Sequence, residues 1–180
     1  MPKRTAGLSV GEYAVLGVLR ERAMHGYEIA RRFLADLDLG LVLPMDMSTV
    51  YAILKDLHDQ GLIDGEREVV GLRPPRTVYQ LTPEAETQFL HWLEEPVHRL
   101  REVRADLLVK LYFCRAISKQ VTLRLLESQL VQSQTYLARA ERLAAEAAVD
   151  SFERLVRASK VSAARGTLAW LEAERLRLAA

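Results

Sequence analysis

Residues 62–82 constrain the fold more than any other stretch of the chain. Leu62-Ile63 leads through Asp64-Gly65 into Glu66 to Val70; Gly71-Leu72-Arg73-Pro74-Pro75-Arg76 follows, then Thr77-Val78-Tyr79-Gln80-Leu81. Two short β-prone runs flanking a Gly/Pro/Arg tip are the pattern of a hairpin. The prolines fit the tip because no ladder hydrogen bond is required of them there. Helical patterns surround this hairpin. Ser9 and Glu12 form a capping box ahead of Ala14, Val15, Val18 and Leu19. A second helix is expected from about Tyr27, with Ile29, Ala30, Phe33, Leu34 and Leu37 on its inner face and Gly40 and Pro44 ending the region. A third starts near Asp46 or Ser48, carries Val50, Ile53, Leu54 and Leu57 on one side, and stops at Gly61, a residue suited to helix C-termini. After the hairpin, Thr82-Pro83-Glu84 opens another helix with a hydroxyl cap, a first-turn proline and an acid at the positive dipole end.

Three helices followed by a two-stranded hairpin is the winged helix-turn-helix order. From Pro83 onward the chain is almost wholly helical in pattern, and Pro96 is the only later proline. The expected fold is therefore mainly α. A winged helix-turn-helix N-terminal domain would span 1–95, and an α-helical, coiled-coil-like dimerisation domain 96–180.

Of the 180 residues, 49% are hydrophobic, enough for a buried core. No apolar run approaches the roughly 20 residues of a membrane span, and no apolar run follows Met1-Pro2-Lys3-Arg4, so no secretory signal is visible. Cys114 is the sole cysteine, which excludes an internal disulfide and any multi-cysteine zinc site. These features lead to the expectation of a cytoplasmic protein. Charge does not advertise a nucleic-acid partner: residues 1–90 carry 10 Lys and Arg against 13 Asp and Glu, and residues 91–180 carry 15 against 11. Any contact with DNA must come from local placement of charge.

The third helix supplies such a placement. At 100° per residue its apolar side chains fall within about 60° of Val50. Ser48, Ala52, Lys55 and Asp59 lie opposite, with Tyr51 at the flank. Small residues early on that face (Ser48, Thr49, Ala52) allow close approach to a groove, and Ser, Thr, Tyr and Lys are ordinary partners of phosphates and base edges. At the hairpin tip, Arg73 and Arg76 can lie along a phosphate or enter a minor groove. Each feature alone is also what a solvated surface looks like; the combination favours DNA.

These residues carry a family resemblance. Leu8-Ser9-Val10-Gly11-Glu12-Tyr13-Ala14-Val15-Leu16-Gly17, then Met24-His25-Gly26-Tyr27-Glu28-Ile29, resembles the opening of the PadR family of bacterial transcriptional regulators. Thr49-Val50-Tyr51-Ala52-Ile53-Leu54, Gly61-Leu62-Ile63 and Tyr79-Gln80-Leu81-Thr82 continue it in order. Arg104-Ala105-Asp106-Leu107-Leu108-Val109-Lys110-Leu111-Tyr112-Phe113 is similar to the family's longer branch, which has a virulence-activator-type C-terminal domain. The resemblance implies a homodimer that binds a palindromic operator on double-stranded DNA, usually as a repressor and sometimes as an activator. It makes Ser48, Thr49, Tyr51 and Lys55 the DNA-facing candidates, adds Arg73 and Arg76 from the wing, and sets His25 and Tyr27 near the phosphate backbone. The family more often has serine, glycine and proline at the positions of Asp46, Ser48 and Ala52.

The second half carries its own pattern. Leu123, Leu126, Leu130, Ser133, Leu137, Ala140 and Ala144 recur at the three-and-four spacing of a coiled-coil seam. A last helix from about Phe152 offers Val161, Ala164, Leu168, Leu171 and Leu178. A homodimer arm is the functional reading, and packing within the chain accounts for part of the pattern. His91 and His98 with Glu94 and Glu95 hint at a metal face, but Pro96 breaks that helix and no further ligand is near, so no metal or cofactor is expected. Cys114 reads as a buried small hydrophobe, and Trp92 and Trp170 as core or interface anchors. No Gly-rich phosphate loop, nucleophile elbow or dense carboxylate or histidine motif is present, so an enzyme is not expected. The alternatives are a winged-helix protein-interaction module that never touches DNA and a sensor of aromatic effectors.

Overall fold

The computed structural model describes residues 7–35, 38–68 and 76–180. The chain divides into two compact units, Met1–Trp92 and Leu93–Ala180. In the first, α1 (Val10–Leu19), β1 (Met24–His25), α2 (Gly26–Arg31), α3 (Asp38–Val42) and α4 (Met47–Asp59) precede β2 (Ile63–Glu68) and β3 (Arg76–Leu81). Helix α5 (Pro83–Glu94) follows. The strands form one antiparallel sheet in the order β1-β3-β2. In the hairpin Ile63 faces Leu81 at the open end and Glu68 faces Arg76 toward the tip.

Local chemistry sets most of these boundaries. The Ser9 and Glu12 box is present: the Ser9 amide and hydroxyl each donate to the Glu12 carboxylate at 2.7 Å. Asp46 caps α4, accepting from the Thr49 amide at 2.7 Å. Gly61 ends α4 at φ +72°, in the left-handed region where a side chain is strained. The Gly61 amide then reaches the His58 carbonyl at 2.9 Å and the Leu62 amide the Leu57 carbonyl at 3.0 Å. This is a Schellman stop, with Leu57 and Leu62 buried as its apolar clasp. The Thr82 hydroxyl donates to the Leu62 carbonyl and accepts from the Ala85 amide, so one side chain ties the hairpin's return to the start of α5.

The second helix departs from the sequence pattern. It ends at Arg31 rather than running to Leu37, because the amides of Arg32, Phe33 and Leu34 bond three residues back instead of four. That tighter winding turns Phe33 into the core and leaves Leu34 46% exposed. Leu37 lies outside the described residues. A short helix, α3, intervenes, and the helix expected third in order is α4. The unit's core gathers Leu16, Ile29, Phe33, Val50, Leu54 and Leu57, and Trp92 stacks on Tyr13 with ring centroids 4.5 Å apart.

The second unit holds a 3-10 turn (Leu100–Arg104) and three helices, α6 (Asp106–Ile117), α7 (Lys119–Glu146) and α8 (Phe152–Ala179). Helices α7 and α8 pack as a hairpin. Leu126, Leu130, Ser133 and Ala140 of the predicted seam are buried, as are Val161, Ala164, Leu168 and Leu171 of α8. Gln129 is buried inside the same unit, its amide accepting from the Val97 amide at 2.7 Å and donating to the Val97 carbonyl at 3.1 Å. Cys114 is fully buried, and burial pushes its thiol up to about 11. Among the described residues no helix is long and apolar enough to cross a membrane.

Lys110 is the unusual core residue. It is 3% exposed, its ammonium donates to the Glu95 carbonyl at 2.5 Å, and desolvation brings its pKa down to about 8 against the pull of Glu95, Asp106 and Glu102. An unfolded lysine, near 10.4, binds more protons between those two values. Stability therefore rises with pH from about 8 to about 10.4, by up to about 3 kcal/mol, and the burial cost is fully felt below that window. Urea denaturation across pH 7–10.5 should show this rise in the wild type and lose it in Lys110→Met. Identical profiles would show that the ammonium is not the titrating group.

Candidate nucleic-acid interface

Helix α4 turns one side to the core and the other to solvent. Val50, Leu54 and Leu57 are fully buried and Ile53 half-buried, while Met47, Ser48, Thr49, Tyr51, Ala52, Lys55 and Asp56 are exposed. The face expected to be open is open. At its start, bonds from Thr49 and then Ser48 hold the Asp46 carboxyl below its usual value. The Ser48 hydroxyl donates to Asp46 at 2.9 Å, so this hydroxyl meets a ligand as an acceptor.

A recess beside α4 is lined by His25, Gly26, Tyr27, Glu28, Tyr51, Arg76, Thr77 and Tyr79. It unites four of the predicted residues from four elements: His25 from β1, Tyr27 from α2, Tyr51 from α4 and Arg76 from β3. Ser48, Thr49 and Lys55 remain on the open face of α4 and do not line it. Arg73 lies outside the described residues.

Gly26 is the residue the sequence pattern did not single out. A Cβ there would stand 2.7 Å from Tyr51 Cε1 and 3.2 Å from its hydroxyl. The tyrosine ring thus lies against bare backbone at the first turn of α2, which fixes it while leaving it 45% exposed. Tyr79 is the second addition. It sits opposite Gly65 on β2, and burial, then the neighbouring Tyr51 phenol, raises its pKa. Gly26 adjoins Tyr27 in the sequence, but only folding puts it against Tyr51.

Polar bonds tie α2 to the sheet. The His25 amide donates to the Glu28 carboxylate at 3.0 Å, and that bond, ahead of Arg22, keeps the Glu28 carboxyl below its usual range. His25 Nε2 stands 3.6 Å from the Glu68 carboxylate on β2. Its Nδ1 is buried with no hydrogen-bond partner among the described residues. Among the described residues no group of three His, Cys, Asp or Glu side chains is placed to hold a metal. The arrangement suits groove contact: a small-residue helix face, a braced aromatic hydroxyl and an arginine on the flanking strand.

Substituting Gly26→Ala pushes the Tyr51 ring aside, and a ring at the free end of its side chain moves cheaply. The melting temperature should stay close to wild type while affinity for duplex DNA falls about tenfold, the worth of one good hydrogen bond. A melting temperature that drops with unchanged affinity would make Gly26 a packing residue only.

The description "Transcriptional regulator PadR-like family" matches residues 15–89, and "Virulence activator alpha C-term" matches residues 103–178. The chain is similar to the negative transcriptional regulator PadR of Bacillus subtilis (strain 168), 29% identical over 130 residues that cover 72% of this chain and 70% of that one. It is 27% identical over 96 residues to the probable transcriptional regulator Rv1176c of Mycobacterium tuberculosis, covering 53% of this chain and 50% of that one. A crystal structure of Bacillus subtilis PadR in complex with operator DNA aligns with a TM-score of 0.46 at 26% identity, covering 94% of this chain and 99% of the other.

Proposed function

Because the chain belongs to the PadR-like family of transcriptional regulators, we propose that it binds double-stranded operator DNA through α4 and the β2–β3 wing. The observation that carries this reading is the open face of α4 beside the recess that gathers Tyr51, His25, Tyr27 and Arg76. Ser48 and Thr49 face base edges, Tyr51 reads base edges or phosphates, Lys55 and Arg76 neutralise phosphates, and His25 and Tyr27 touch the backbone. The relative named a negative transcriptional regulator supports repression as the sign of control.

Phosphate neutralisation makes the test quantitative. Affinity for duplex should fall with rising salt, and Lys55→Ala should weaken binding to all sequences alike and flatten the slope of log affinity on log salt by about 0.9. Fluorescence anisotropy on fragments of the adjacent upstream DNA reads both effects. Salt-independent binding, or none at low salt, would leave a protein-interaction module instead.

A palindromic operator calls for two copies. The α7 seam does not provide that contact, since α8 of the same chain covers it. The outward side of α8 supports the reading. Phe152, Leu155, Ser159, Ser162, Gly166, Ala169, Ala173 and Leu176 follow each other in alternating steps of three and four, and all eight are exposed. This is a second coiled-coil seam with small residues in the middle, and a twin copy would match it layer by layer. Half-sites one turn of DNA apart require two recognition helices about 34–36 Å apart, which one copy cannot supply. A Cβ on Gly166 would meet nothing within 4 Å, so Gly166→Arg sets a charged side chain on this seam from open space. It should halve the mass seen by light scattering and lower operator affinity; a dimer that survives it uses another surface.

A further inference from the structure

The α7–α8 hairpin carries a cationic recess of its own, on a different flank of α8 from the outward seam. His98, Tyr136, Arg139, Leu143, Arg157 and Lys160 line about 420 Å³ of it. Tyr136, Arg139 and Leu143 share one face of α7 by their three- and four-residue steps, and Arg157 and Lys160 stand one turn apart on α8. Arg157 is anchored: its guanidinium donates to the Leu143 carbonyl and pairs with the Glu153 carboxylate. Arg139, Lys160 and His98 make no ion pair among the described residues, and both Arg139 and Lys160 are exposed.

One carboxylate thus answers three permanent cations. Like charges crowded around a concavity stabilise nothing in the free protein; they raise affinity for an anion that enters. The surplus matches a dianion. A guanidinium fork can grip two oxygens of a tetrahedral group and an ammonium a third, which suits phosphate better than a planar carboxylate. The Leu143 side chain gives an apolar wall for the organic part, and the Tyr136 hydroxyl and the His98 imidazole add polar contacts.

We propose that this recess binds a small phosphorylated molecule, its phosphomonoester dianion held by Arg139 and Lys160 against the anchored Arg157. This goes beyond operator binding and does not depend on it.

Inorganic phosphate is the probe. Titrated into the full-length protein against chloride at matched ionic strength, it should give a saturable rise in melting temperature and a saturable change in the phosphorus NMR line. Arg139→Gln and Lys160→Gln should each weaken that binding about tenfold, the worth of one charge-assisted hydrogen bond. The double variant should abolish it with an unchanged circular dichroism spectrum and urea midpoint. A wild-type response no greater than that to chloride overturns the proposal, as does a double variant that titrates like the wild type. If phosphate has no effect and the double variant instead loses duplex affinity with a flatter salt slope, the cluster serves a nucleic-acid backbone and the small-molecule assignment falls.

Discussion

The turn at Gly61 does more than end a helix. Its left-handed backbone lets the Leu62 amide fold back onto the Leu57 carbonyl, and the same Leu62 offers its own carbonyl to the Thr82 hydroxyl. Thr82 in turn caps α5 through the Ala85 amide. Helix α4, the wing hairpin and α5 are therefore joined within a few bonds around two buried leucines. The end of α4 and the base of β3 both leave from this knot, which ties their positions together. Preorganisation of that kind lowers the ordering cost of binding.

The bracing of Tyr51 is the finer consequence. A surface tyrosine ordinarily loses rotamer freedom on binding, whereas here the ring already lies on the bare backbone of Gly26. Glycine is needed at that position for space and not for an unusual φ, since Gly26 is an ordinary helical residue. The wing repeats the device at Gly65, where a Cβ would press within 3.1 Å of Thr77 and 3.4 Å of the Tyr79 ring. The tight fit there is to Thr77, whereas the Tyr79 ring lies at ordinary contact distance, so Tyr51 is the ring set by what its neighbour lacks.

What the sequence made legible was local. The Ser9 box, the Thr82 cap and the Gly61 stop each depend on residues a few positions apart, and the inner stripe of α4 follows from its period. The end of α2 was hidden because Phe33, Leu34 and Leu37 continue a helical stripe even though the amides switch to three-residue bonds after Arg31. The seam on α7 was visible as a pattern, yet a pattern of three and four does not say whether its cover comes from the same chain; α8 resolves it. The contact of Gly26 with Tyr51 spans 25 positions and leaves no periodic trace, so the shape of the recess was not readable from spacing.

Asp46 shapes what the proposed interface can use. A helix N-terminus is usually a ready phosphate site, with free amides and a positive dipole end. In α4 that end is occupied: the Asp46 carboxylate takes the Thr49 amide and, held below its usual pKa, stays charged at any physiological pH. A phosphate there would face a fixed negative charge. Phosphate contact must therefore run along the side of the helix, through Tyr51 and Lys55, rather than through its tip. Specificity then rests on shape and a few hydrogen bonds, which is what an N-terminal half with more acids than bases can offer.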